Sequence, residues 1–168
     1  GTVYRGKDVR TGATVALKFL SGDVDPELLA RFEQEANIGK MLDHEDIIRV
    51  FESGTDGVRT WIVMEYLDGF ELGRAMKDDT FGVEDRVKML VRVAIALHHA
   101  HEKGVIHRDI KPSNIFMTRE GGARVLDFGI AKLADAQLTR PGSILGTPRY
   151  VAPEQTHGRD YDRRIDVF

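Results

Sequence analysis

Apolar and polar positions alternate with a period of two in "GTVYRGKD" and again in "TVALKFL", and "RTGA" between them reads as a hairpin turn. Asp25 followed by Pro26 signals a helix start, a capping side chain and then a proline whose fixed φ suits the first turn. The spacing predicts a helix over Pro26 to Leu42. "IIRVFES" and "RTWIVMEYL" predict two more strands around the turn "GTDG", so the first 67 residues read as a small antiparallel sheet with one helix. After "DGFELG" the period becomes helical. "EDRVKMLVRVAIALHHAHEK" sets Val87, Val91, Ala94, Leu97 and His101 on one face, and Gly104 supplies the stop. "NIFM" and "ARVLD" then predict a short hairpin across "TREGGA". Residues 128–153 are irregular and rich in Gly, Pro, Ser and Thr, and a loop that long inside a compact domain is usually functional. The pattern is α+β, with a sheet-rich part giving way to a helix-rich part between Leu67 and Gly73.

Composition narrows the function classes. The 168 residues are 42% hydrophobic and 30% charged, which fits one globular domain, or one with a small part of another. Net charge is −3 with scattered basic residues, so neither a nucleic-acid nor a membrane surface is expected. Cysteine is absent, which excludes disulfides and thiolate metal sites and fits a reducing, cytoplasmic setting. The longest apolar run, "VAIAL", falls far short of the roughly 18 residues of a membrane helix. A start on Gly1 without methionine and an end at "RRIDVF" suggest a fragment, whose parent protein could carry an anchor elsewhere.

Two charged residues interrupt apolar patterns. Ala16, Lys18 and Leu20 share one face of "TVALKFL" and Val15, Leu17 and Phe19 the other, so the Lys18 ammonium sits where burial is costly. Leu28, Phe32, Glu35, Gly39 and Leu42 form one stripe of the following helix, with Glu35 at its centre. One reading is that Lys18 and Glu35 meet as a buried pair. The other is that Lys18 snorkels and Glu35 tips out of the stripe, and periodicity alone does not choose between them.

Polar residues also converge at the second hairpin. Asn114 precedes its first strand and Asp127 follows its second, so both emerge at the same end, where an amide oxygen and a carboxylate suit a hard cation such as Mg²⁺. Asp109 and Lys111 lie just upstream, on a loop that Pro112 keeps out of the strand. A carboxylate there could accept the proton of an attacking hydroxyl, and a lysine could neutralise phosphate charge. A solvated polar loop is the plain alternative for such a cluster taken alone. His98 and His101 lie one helical turn apart, but no third ligand joins them at zinc spacing, and His101 reads as a hydrogen-bonded core histidine.

These segments resemble the protein kinases. "HRDIKPSN" is similar to the family's catalytic loop, "DFG" at 127–129 to its metal-binding motif, "VALK" at 15–18 to its nucleotide lysine, and "GTPRYVAPE" at 146–154 to its substrate-binding loop. Lys111 and "GTPRY" resemble Ser/Thr kinases, and "RFEQEA", "IVMEYLDG" and "APEQ" resemble the eukaryotic-type Ser/Thr kinases of bacteria.

The resemblance implies a bilobal fold: residues 1–67 as an N-lobe lacking its first strand and part of its glycine-rich loop, and 68–168 as a C-lobe cut at the start of its central helix. It implies ATP with Mg²⁺, or Mn²⁺ in its place, and Ser/Thr-containing protein substrates; oligomeric state is not implied. Lys18 would hold the α- and β-phosphates and Glu35 would hold Lys18. Asp109 would be the base, Lys111 would contact the transferring group, and Asn114 and Asp127 would bind the metal. Gly1 would belong to what remains of the phosphate loop. Val3 and Ala16 would cap the adenine, backbone groups of Glu65 and Leu67 would meet it, and Met64 would guard the pocket behind it. His107 and Phe128 would join the packed column between the lobes. Gly39 stands where the family usually has a larger apolar residue in that column, which implies a weaker closed position for the helix.

Thr139 and Ser143 resemble phospho-acceptor sites whose phosphate Arg108 would pair with, and Thr147 resembles a substrate-loop residue contacting Asp109 and Lys111. Two other classes compete: a nucleotide-binding pseudokinase scaffold without turnover, and a small-molecule phosphotransferase. The set Lys18, Glu35, Asp109, Asn114 and Asp127 speaks against the first, and "GTPRYVAPE" against the second.

Overall fold

A computed structural model of the chain describes residues 2–20, 26–57, 59–77, 81–128, 150–156 and 162–167. Strands β1 (Thr2–Lys7) and β2 (Thr14–Leu20) form the first hairpin. In its turn Asp8 N–H donates to the Ala13 carbonyl at 2.9 Å and Gly12 takes a φ of +75°, a conformation that favours glycine. Helix α1 (Pro26–Met41) follows, then β3 (Val50–Thr55) and β4 (Thr60–Glu65), giving an antiparallel sheet in the order β1-β2-β4-β3. Phe32 and Ala36 of α1 bury against Leu20, Ile62 and Met64, which fixes the helix on one face of that sheet.

The second part opens with a strand that the sequence pattern did not predict. β5 (Gly69–Glu71) leads into the short helix α2 (Leu72–Ala75) and pairs with β6 (Ile115–Thr118), which pairs in turn with β7 (Ala123–Val125). Helix α3 (Val83–Glu102) packs on this three-stranded sheet and ends where Gly104 takes a φ of +74°. A 3-10 turn, Pro112–Asn114, leads into β6. The short α4 (Pro153–Thr156) and a second 3-10 turn, Arg163–Asp166, complete the described elements. Among the described residues no helix is long and apolar enough to cross a membrane.

The buried face of α3 is not the predicted one. Met89, Val93, Ala96, Leu97 and Ala100 are buried, whereas Val87 and Val91 are half exposed. The helix carries apolar residues on more than one face, and the face holding fully buried Ala96 and Ala100 is the one that reaches the sheet. Likewise Leu28 of α1 is exposed, and the buried stripe runs through Phe32 and Ala36.

The strand expected from Ile47 begins only at Val50. Ile47 and Ile48 turn toward β7 instead: Ile48 N–H donates to the Val125 carbonyl at 3.0 Å, and Val125 N–H to the Asp46 carbonyl at 2.8 Å. Beside this junction, Arg92 of α3 grips the buried Asp46 carboxylate with Nε at 2.7 Å and Nη2 at 2.6 Å. The segment after α1 is therefore tied to the second part by backbone and charge together. Replacing Arg92 with Met strands a buried carboxylate and should cost about 2–3 kcal/mol in a denaturant titration, below the full penalty because Arg92 is partly exposed. A loss under about 0.5 kcal/mol would show that Asp46 needs no partner.

Candidate active site

Lys18 stands in the middle of β2, paired with Val3 of β1 and Ile62 of β4. Its ammonium reaches Glu35 Oε1 of α1 at 2.5 Å and Asp127 Oδ1, just beyond β7, at 2.9 Å. The lysine side chain is 18% exposed and that of Asp127 52%. Burial alone would lower the Lys18 pKa, but the charges of Asp127 and Glu35 outweigh it and hold it above the ordinary lysine value. Burial pushes Glu35 the other way, to about 7, with the Asp127 charge adding to the rise and Lys18 opposing it. Asp127 also feels burial, but the Lys18 ammonium prevails and keeps its carboxyl below the usual range.

The hairpin end brings the acceptors together. Leu126 N–H donates to the Asn114 carbonyl at 2.8 Å, which sets Asn114 beside the residue that precedes Asp127. Asp127 takes a φ of +42°, a left-handed conformation that aspartate tolerates better than most residues. On the adjoining loop, Asp109 Oδ2 accepts from Lys111 Nζ at 2.6 Å and from Asn114 Nδ2 at 3.1 Å. Asn114 Nδ2 also donates to the Asp109 carbonyl at 2.8 Å, so the amide nitrogen faces Asp109 and the amide oxygen is turned away from it. That oxygen and the Asp127 carboxylate are both hard donors, a chemistry that fits a hard divalent cation whose shell would be completed by phosphate and water. Among the described residues no group of three or more His, Cys, Asp or Glu is placed to hold a metal ion. His98 pairs with Glu102 on the helix surface, and His101 points at Asp166.

Asp166 stands where the resemblance implies only the start of the central helix, yet the structure gives it a part in the site. Its side chain is 0% exposed. Oδ2 accepts from His107 N–H at 2.8 Å and pairs with His101 Nε2 at 2.7 Å, while Oδ1 accepts from Arg108 N–H at 2.7 Å. Arg108 takes a φ of +68°, a strained backbone for an arginine, so the carboxylate holds the loop in a shape it would not adopt alone. Gln155 of α4 secures the same point, with Nε2 donating to the Arg108 carbonyl at 3.1 Å and Oε1 accepting from Ala152 N–H at 3.0 Å. The only sequence signals were a lone Asp between Ile165 and Val167 and the Gln of "APEQ".

The remaining expected residues sort simply. Met64 is buried beneath the sheet, Ala16 is half-buried beside it, and Val3 is exposed on β1. The Glu65 side chain accepts from Arg49 N–H at 2.8 Å and Arg124 Nε at 3.2 Å, while its own N–H donates to the Arg49 carbonyl at 2.9 Å. Leu67 follows β4 and is half-buried. Gly1, Thr139, Ser143 and Thr147 lie outside the described residues.

His107 and Phe128 pack with ring centroids 4.8 Å apart. His107 Nε2 donates to the Leu126 carbonyl at 2.9 Å and Nδ1 accepts from Asp109 N–H at 3.3 Å, so both ring nitrogens are used in the neutral form. Burial holds its pKa below the ordinary imidazole value. The stability contribution of neutral His107 is therefore complete above the unfolded pKa of about 6.5 and is lost as pH falls through the lower folded value. Urea titrations between pH 7.5 and 5 should show wild type losing more stability than His107→Gln. Parallel pH profiles would mean that His107 is not buried neutral.

A model of the protein kinase domain matches residues 1–168. The chain is 43% identical over 176 residues to the serine/threonine-protein kinase Pkn1 of Myxococcus xanthus, covering 100% of this chain and 25% of that protein. It is 41% identical to the serine/threonine-protein kinase PknJ of Mycobacterium tuberculosis, covering 100% of this chain and 30% of that protein. The chain thus spans about a quarter to a third of these relatives' length. The crystal structure of the Mycobacterium tuberculosis PknI kinase domain, a double mutant, superposes with a TM-score of 0.75 at 31% identity, covering 98% of this chain and 62% of that one. Fold, motifs and relatives agree: this chain belongs to the protein kinase domain family.

Proposed function

We propose that the protein transfers the γ-phosphate of ATP to Ser or Thr hydroxyls of protein substrates. The observation that carries this reading is the junction of Lys18 with Glu35 and Asp127, beside a loop on which Lys111 and Asn114 both converge on Asp109. Lys18 would neutralise the α- and β-phosphates while Glu35 keeps its ammonium in place. The Asp109 carboxylate would orient the substrate hydroxyl and take its proton as the hydroxyl oxygen bonds to the γ-phosphorus. The bond from that phosphorus to the bridging oxygen breaks, and ADP leaves with the electron pair. Lys111 would offset charge on the transferring group. Asn114 and Asp127 would hold Mg²⁺, which supplies charge neutralisation on the phosphates when bound. Adenine would sit between Val3 and Ala16, against Met64 and the Glu65 and Leu67 backbone. The Glu65 N–H is engaged by the Arg49 carbonyl, so the Glu65 carbonyl would be the group that meets the base.

Phosphate on Thr139 or Ser143, paired with Arg108, would order the substrate loop that includes Thr147. Alanine at both positions should reduce activity in the full-length protein, and unchanged activity would remove that control. The reaction itself is tested by phosphate transfer from Mg²⁺-ATP to a generic basic protein. Asp109→Asn should lower that transfer by about 10²–10⁴-fold. Transfer at the wild-type rate would remove Asp109 as the base.

A further inference from the structure

β2 lies between β1 and β4, so no backbone hydrogen bond joins β1 to β4 or to the segment that follows it. Arg5 of β1 stands directly opposite Ala16 of β2, which stands opposite Met64 of β4, and residues opposite one another share a face of the sheet. Val3, two positions before Arg5, is on that face as well. The short Ala16 side chain leaves the way across β2 open. The Arg5 guanidinium carbon stands 4.8 Å from the centroid of the Tyr66 ring, one residue beyond β4. That is a cation over an aromatic face. Among the described residues no carboxylate pairs with Arg5, so its charge is committed to the ring. Tyr66 in turn stands on a fixed base. Glu65 N–H donates to the Arg49 carbonyl at 2.9 Å, and the Glu65 carboxylate accepts from Arg49 N–H at 2.8 Å and from Arg124 Nε of β7 at 3.2 Å.

We propose that Arg5 and Tyr66 are positioning residues whose stack ties β1 to the segment after β4 and so holds Val3 over the adenine slot. The proposal rests on the ATP reading above for its effect on nucleotide binding. With adenine between Val3 and Ala16, the height of β1 sets how tightly the base is gripped. The stack supplies a second tie for that strand, across β2, from a base that Arg49 and Arg124 keep still. Without it β1 rises more freely and the base is held less well, while Lys18 and Asp109 keep their own partners. At an exposed site a stack of this kind amounts to about threefold in an equilibrium constant.

The test measures Mg²⁺-ATP affinity of the full-length protein by calorimetry, with Arg5→Gln, Tyr66→Leu, the double variant and Tyr66→Phe. Both positions are exposed, so the variants fold. Arg5→Gln and Tyr66→Leu should each weaken ATP about threefold, and the double variant should be no weaker than either, because each change already removes the whole stack. Tyr66→Phe keeps an aromatic face and should retain nearly full affinity. In steady-state assays the loss should fall on KM for ATP rather than on kcat. Unchanged affinity in the single variants overturns the proposal. So does a double variant about ninefold weaker, which would make the two residues independent, or a Tyr66→Phe variant as weak as Tyr66→Leu. If the unmodified protein binds no ATP, the functional reading fails, and urea titrations of the same variants decide whether the tie exists. Non-additive losses of about threefold in the unfolding constant support it, and additive or absent ones overturn it.

Discussion

The Lys18 ammonium is the point on which the described structure closes. It is largely removed from water in the middle of a strand, where a lone cation would be costly, and two carboxylates from distant segments meet it. One arrives with α1, the other from the end of β7, so the contact joins three segments at a single charge. Two carboxylates against one ammonium leave an excess negative charge. Burial, with that excess charge adding to it, raises the more enclosed Glu35 to about 7, while the Lys18 ammonium keeps the carboxyl of the more exposed Asp127 below its usual range. A partly open, ionised Asp127 with the Asn114 amide oxygen nearby is chemically suited to a second cation. That imbalance, a defect in a sealed core, would here favour a bound cation.

A second charge holds the facing loop. Asp166 accepts two backbone N–H groups and pairs with His101, and Gln155 secures the Arg108 carbonyl from another side. Networks in which every buried polar group is satisfied are rigid, and a half-satisfied one would be worse than an apolar core. Arg108 can therefore stay in a left-handed backbone conformation that places Asp109 beside Lys111 and Asn114. Between the two anchors runs the Asp46–Arg92 clamp, which fixes the segment after α1 to α3 and β7.

Much of this was legible in the sequence because charge in the wrong place is a local signal. Lys18 broke an apolar strand and Glu35 an apolar stripe, and the structure joins them. Asn114 and Asp127 were readable from hairpin geometry, since the ends of two adjacent strands must coincide. The features that were missed depend on partners far away along the chain. Asp166 and Arg108 are 58 positions apart, Asp46 and Arg92 46, and nothing in either neighbourhood announces the other. Periodicity also failed on α3, because it detects an apolar face but cannot say which of several faces meets the sheet. Ile47 and Ile48 have strand character, yet Val125 claims them for a bridge between the two sheets.

The most direct measurement of the central claim is the affinity of the full-length protein for ATP, by calorimetry, with and without Mg²⁺. The account predicts that the metal tightens binding, that Asp127→Asn removes this metal-dependent gain, and that Lys18→Met weakens binding while leaving the gain in place. Equal affinity with and without Mg²⁺, or a gain that survives in Asp127→Asn, would contradict it.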